Sequence, residues 1–286
     1  MATTTIAPPS ALPARAPRRA SIGLALRTLA GRRAGLTARN PRQIAVPLLT
    51  PILFAVVIAP ALETALGGLR SAVDYTAFVA VGTVGLLVPL ATIFAGLSVI
   101  VDRQAGAQRE LLSAPVPRAL LVAGNLVVAL GLCALQVAVL IGVAALRGAT
   151  FHVTPGGIAW FVAAAVLFTV FMYAVAETLA SRIPNQEEYI AVTPAVAILP
   201  WFFAGALFPI TALPGALTAF AKVLPLTHAM ALMRYGLVDP RGSGLHDIWG
   251  SGDVHVQALL SLGVVVVFAV AFGALAVRTF TRAATG

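Results

Sequence analysis

Long apolar stretches almost free of charge are what most limits the folds open to this chain. Six of them, at about 44–62, 78–101, 119–146, 158–180, 189–210 and 256–277, reach the roughly 20 residues needed to cross a hydrocarbon layer about 30 Å thick. Lipid offers no water to backbone N–H and C=O groups, so only helices and closed barrels cross it. These runs lack the alternation of barrel strands. The expected fold is an all-α membrane protein with six transmembrane helices. A further stretch, 213–237, is apolar on average but broken by Pro214, Lys222, Pro225, His228 and Arg234. It is read as part of an outer re-entrant hairpin, about 211–237, before the last helix, allowed where it packs on protein or lines a wet cavity.

Composition agrees. Apolar residues make up 59% of the chain and charged ones 10%, against roughly 25% charged in soluble proteins. Soluble enzymes, nucleic-acid readers and disordered tails are excluded on that ground. The single cysteine, Cys133, lies in an apolar run, so no disulfide framework or thiolate metal cluster is expected. Eighteen arginines against one lysine, with abundant alanine, fit a GC-rich bacterial genome.

The chain divides into a basic tail, 1–43, and a six-span transmembrane domain, 44–280. The tail carries eight arginines and no acidic residue. Its apolar run starts too late for a cleaved signal peptide, although an organellar transit peptide shares the composition. Ile22, Leu26, Leu29 and Leu36 fall on one helical face with Arg33 intruding on it, as in an interfacial helix. The tail adjoins a span and lacks interleaved aromatics, so it is read as a topology and lipid-headgroup determinant with no nucleic-acid partner. Six spans put both termini on one side. With the tail, the 102–118 loop, Arg182, Arg278 and Arg282 inside, 14 basic residues are cytoplasmic. The five left outside are Arg70, Arg147, Lys222, Arg234 and Arg241, which meets the positive-inside rule.

The residues restrict the chemistry. A P-loop needs Gly-Lys followed by Ser or Thr, and the only lysine, Lys222, lies between Ala221 and Val223. Glu177, near the cytoplasmic end of the fourth expected span, is read either as a snorkelling or locally paired residue or as a translocation site. Asn125 and Gln136 in the third are helix-to-helix hydrogen bonders or substrate contacts. Ser243, His246, Asp247, Ser251, Asp253 and His255 offer nucleophile, base or ligand types, but the glycines between them mark a plain loop. Pro47, Pro51, Pro60, Pro89, Pro194, Pro200 and Pro209 lie in or at the ends of expected spans, as tolerated kinks or hinges. The loop 102–118 combines mixed charge with Leu111 and Leu112 and closes on Pro115 and Pro117. It reads equally as a solvated connector or as a short surface helix that docks on a soluble partner.

Two segments resemble the membrane subunit of type-2 ABC exporters, the permease family that includes daunorubicin-resistance and polysaccharide or nodulation-factor export proteins. The first is Asp102, Arg103, Gly106, Arg109, Glu110, Leu111, Leu112 and Pro115, with Gln104 and Gln108 where the family has charge. The second is Gly205, Phe208 and Pro209, then Pro214, then Pro225-Leu226-Thr227, then Arg234. The resemblance implies a dimer of permease chains, identical or different. It also implies two copies of a separate ATP-binding cassette subunit, docked on the tail helix and the 102–118 loop. ATP and magnesium would sit on that partner, with no cofactor, metal or catalytic residue on this chain. It implies a multi-pass protein of the bacterial plasma membrane, among membrane lipids, that passes a hydrophobic drug, lipid or glycolipid outward between two permease chains. The rivals are an ion-coupled secondary multidrug carrier, which would need intramembrane coupling residues and often shows an internal repeat, and a membrane hydrolase. The sequence shows neither coupling residues nor a repeat, and its polar cluster is not held rigidly.

Overall fold

The computed structural model describes residues 21–58, 60–61, 74–107, 111 and 116–283. Helix α1, Ile22–Ala38, starts where the Ser21 hydroxyl accepts from the Leu24 amide at 3.3 Å. Helix α2, Arg42–Leu53, passes into a π-helical stretch, Phe54–Ile58. Three long helices follow: α3, Tyr75–Gln104, α4, Arg118–Leu146, and α5, Pro155–Arg182. The Asp74 carboxylate caps α3 through the Ala77 amide, and the Thr154 hydroxyl caps α5 through Gly157, with Pro155 at the first helical position. Helix α6, Gln186–Thr193, continues through a π-helical Pro194–Ile198 into α7, Leu199–Phe203. Short helices α8, Gly215–Ala221, α9, Pro225–Leu237, and α10, Ser243–Trp249, lead to the long α11, Val254–Ala283.

The expectation of six transmembrane helices is overturned. Among the described residues four helices, α3, α4, α5 and α11, are long and apolar enough to cross a membrane. Counting α8 with α9, which meet at 78°, as one broken span makes five. The expected spans at 44–62 and 189–210 are the ones that change, and both hold internal prolines. A proline supplies no N–H and crowds the carbonyl four residues earlier. At 189–210 the ladder shifts to the wider π register from Pro194, resumes as a five-residue helix around Pro200 and stops at Phe203. At 44–62 the 12-residue α2 gives way to the π stretch, and residues 59 and 62 lie outside the described residues. Mean apolarity is high in both stretches; among the described residues, an unbroken α-helix is what they lack.

Helix α3 is the centre of the bundle. Ala77, Val79, Ala80, Val81, Val84, Leu87, Val88 and Ile100 are all buried, so neighbours surround it. In lipid no hydrophobic force drives helices together, and close contact depends on small residues. Gly157 of α5 and Gly236 of α9 illustrate this, since a Cβ on either would collide with the backbone carbonyl of the other. Gly82 and Gly85 let α3 approach the Ala206 carbonyl and the Met230 side chain in the same way. Helix α11 turns Val256, Leu259, Leu260, Val267 and Val270 outward, an apolar face fit for lipid.

Candidate functional site

Polar side chains collect at the two ends of the bundle. One end gathers α1, the C-termini of α3, α5 and α11, and the N-terminus of α4. Here the buried face of α1 is set by Ala25, Arg33 and Thr37, while Ile22 and Leu36 of the expected apolar stripe are exposed. Arg33 bonds Asp102 of α3 at 3.1 Å and reaches the Ala95 carbonyl at 3.4 Å. Arg103, the next residue, donates to the carbonyls of Ala180 at 2.9 Å, Ile183 at 2.7 Å and Pro184 at 3.2 Å. Arg118 Nη1 donates to the Thr281 carbonyl at 3.0 Å, joining the start of α4 to the end of α11. Two helix C-termini, those of α5 and α11, thus attract arginine through their carbonyls.

After α3 the chain turns at Gly106, whose φ of +78° is costly for a residue with a Cβ. Leu111 packs beside Leu29 of α1, Leu121 of α4 and Phe280 of α11, and these four line a small cavity with Arg32, Val99, Asp102 and Asn125. Arg109, Glu110, Leu112 and Pro115 lie outside the described residues.

Glu177 is enclosed rather than reaching for water: its exposure is 0%. Its Oε2 accepts from the Tyr173 hydroxyl at 2.8 Å, while Oε1 has no hydrogen-bond partner among the described residues. Asn125 lies beside the Tyr173 side chain, and Arg33 lies within electrostatic reach of Glu177. Asp102, Asn125 and Glu177, from three separate helices, therefore form one neighbourhood. Gln136 does not join it. It is buried further along α4 from Asn125, at a rise of about 1.5 Å per residue.

The opposite end is organised around Arg234 of α9. Its Nη1 donates to the Gly205 carbonyl and its Nη2 to the Ala206 carbonyl, each at 2.7 Å. Nε and Nη2 also reach the Phe78 carbonyl at 3.4 and 3.3 Å, and the guanidinium stacks on the Phe78 ring at 3.4 Å. Gly205 presents its carbonyl from a turn with φ of +79°. Tyr75 holds the same turn by donating to the Leu207 carbonyl at 3.0 Å, and Trp201 donates to the Gly82 carbonyl at 2.8 Å. Phe208 is part exposed, Pro209 leads into a 3₁₀ turn, Ile210–Ala212, and Pro214 and Pro225 begin α8 and α9. The sequence reading missed Arg33, Tyr75, Phe78 and Trp201 as members of these clusters. For Arg33 a signal existed, a charge on the apolar face of its helix.

A model of the ABC-2 type transporter family matches residues 25–238. The chain belongs to the ABC-2 type transporter family. No curated protein matches it. The matched stretch runs from α1 to the end of α9 and so includes both clusters. ABC-2 permeases are transport subunits that generally pair with a separate ABC ATPase, and this chain is a multi-pass membrane protein of that family.

The polar residues of 243–255 are used structurally in this ABC-2 permease. They form the short helix α10 and its flanks: Asp239 accepts from the Arg241 and Ser243 amides, and Asp253 from those of His255 and Val256. His246 faces the Gly250 carbonyl and His255 the Tyr235 hydroxyl, each at 3.2 Å. Burial pushes the Asp247 pKa up, against the pull of Lys222 and His246. Among the described residues no group of three His, Cys, Asp or Glu side chains is placed to hold a metal.

Proposed function

We propose that this ABC-2 permease is the membrane half of an ATP-driven exporter that moves a hydrophobic drug, lipid or glycolipid outward by alternating access. Two permease chains would pair with two ATPase subunits, and ATP and magnesium would be held by those subunits. The observation that carries this reading is the junction at Asp102 and Arg103. These adjacent residues, at the mouth of the 102–118 loop, bind α1 through Arg33 and the end of α5 through three carbonyls. A push on the loop would reach three helices at once, as an ATPase must if nucleotide binding is to favour one arrangement over another. Asp102, Arg103, Gly106, Arg109, Glu110, Leu111, Leu112 and Pro115 are the docking segment in this reading. Gly205, Phe208, Pro209, Pro214, Pro225 and Arg234 build the outer end.

The junction would face the cytoplasm, with both termini on that side of a bacterial plasma membrane. Supporting this, Arg27, Arg32, Arg33, Arg39, Arg103, Arg118, Arg182 and Arg278 belong to helix segments at the junction end, and Arg147, Lys222, Arg234 and Arg241 to the other.

A second reading, an ion-coupled carrier, draws on the buried Glu177 carboxyl. One purification separates them. An exporter permease taken out in mild detergent brings down a P-loop ATPase in near-equal amount, and Leu111→Asp with Leu112→Asp abolishes the coupled ATP hydrolysis without affecting insertion. A chain that purifies alone, with transport driven by an ion gradient and lost in Glu177→Gln, sinks the exporter reading.

A further inference from the structure

We infer that Arg33 is an exchangeable latch, bound to Asp102 in the arrangement seen here and transferred to Glu177 when the 102–118 loop moves.

Three observations converge on it. Glu177 is fully enclosed and, among the described residues, only half satisfied: Tyr173 occupies Oε2, and no described group bonds Oε1. A buried acceptor left without a donor is costly, so a nearby donor gains by turning to it. Arg33, whose charge acts on Glu177, already reaches toward that depth. Arg33 extends past Asp102 to the Ala95 carbonyl at 3.4 Å, and the next residue, Gly96, packs so closely on α5 that a Cβ there would press on the Ala176 carbonyl and the Tyr189 hydroxyl. Ala176 immediately precedes Glu177. The two carboxylates also differ in what they lose without Arg33. The Asp102 side chain is 22% accessible and can turn to water or to a docked partner, whereas Glu177 has no such recourse. A loop movement that draws Asp102 outward would therefore leave Arg33 one favourable destination. The transfer would pull α1 against α5, turning a surface displacement into a change of helix packing.

The latch rests on the proposed movement of the loop, but its test requires no ATPase. Asp102→Asn, Glu177→Gln and the double variant of the full chain are compared with the unaltered protein by thermal unfolding in detergent. With Asp102 neutralised, Arg33 moves to Glu177, so Asp102→Asn alone costs little. Adding Glu177→Gln to it then lowers the melting temperature by roughly 2–6 °C more than the two single effects together. Shifts that add to within about 1 °C overturn the proposal. Should the double variant fail to fold, spin labels at the exposed positions Arg27 and Arg182, in a Cys133→Ser background, answer the same question. Asp102→Asn brings the labels closer if the latch exists, and an unchanged distance distribution overturns it. Either failure leaves the exporter reading standing, because that reading is judged by recovery of the ATPase.

Discussion

Arg234 and Arg33 are buried guanidiniums at opposite ends of the same bundle, and they are satisfied in opposite ways. Arg234 has no carboxylate among its bonds; three main-chain carbonyls and the Phe78 ring hold it. Those carbonyls come from the turn after α7 and from the first turn of α3, so the side chain takes the place of secondary structure where the helical ladder stops. Arg33 holds one carboxylate closely and one carbonyl at the limit of a hydrogen bond, with a second, half-satisfied carboxylate nearby. The first arrangement has one good solution and the second has two. A cation enclosed by carbonyls fixes a joint, and a cation between two carboxyl groups lets one move.

The sharpest way to break this contrast is to remove each cation in turn. Arg234→Leu strands the carbonyls of Gly205, Ala206 and Phe78 and is expected to cost about 3–4 kcal/mol, read as loss of the monodisperse folded peak on heating in detergent. Arg234→Lys should rescue little, because an ammonium cannot serve spread carbonyls in one plane and stack on a ring as well. Equal losses for Arg234→Leu and Arg33→Leu would erase the distinction between the two ends. Next in size is the close helix crossing that carries α9. Gly236→Ala places a Cβ against the Gly157 carbonyl and is expected to cost about 1–3 kcal/mol as α9 and α5 are forced apart; a neutral result in the same assay would show that the crossing yields easily.

The smallest effect concerns Asp74, which fixes the start of α3 at the Arg234 end. Burial raises its pKa, but bonds from the Thr150 amide and hydroxyl and from the Ala77 and Thr76 amides outweigh burial and bring it below the ordinary 3.8. A carboxyl with a depressed folded-state pKa stabilises fully above its unfolded value, and that contribution is lost as pH falls through the lower folded value. Asp74→Asn should therefore be about 1 kcal/mol less stable at neutral pH, and the gap should close only below about pH 4. A gap that persists unchanged at pH 3 would mean that the Asp74 charge is not what holds the cap.

Much of this was legible in the residues, for identifiable reasons. The stretches that became α3, α4, α5 and α11 were readable because a crossing helix depends on the mean apolarity of its own residues. The family pattern was readable because a turn glycine, helix-starting prolines and a late arginine follow in order. The error over the spans at 44–62 and 189–210 has the converse reason. Hydropathy averages over a window, whereas a single proline acts at one hydrogen bond, and whether the ladder then kinks, widens or stops depends on what packs alongside. Glu177 shows the limit at a single site. Near a helix end it fits a snorkelling side chain, and only the folded chain shows it enclosed and bonded to Tyr173.

By itself, then, the sequence determined that this chain lives in a membrane, that it is helical there, and which family it belongs to. Those properties follow from local chemistry: apolar side chains partition into lipid, backbone groups must bond within their own segment, and short motifs persist in order. Tertiary structure alone decided how many helices stay unbroken, that Arg234 closes the turn after α7, and that Arg33, Asp102, Asn125 and Glu177 share one neighbourhood. Arg33 and Asp102 are 69 residues apart and Phe78 and Arg234 are 156 apart. Such pairs meet only where helices cross, and a crossing depends on the combined shape of two surfaces, which neither segment specifies alone.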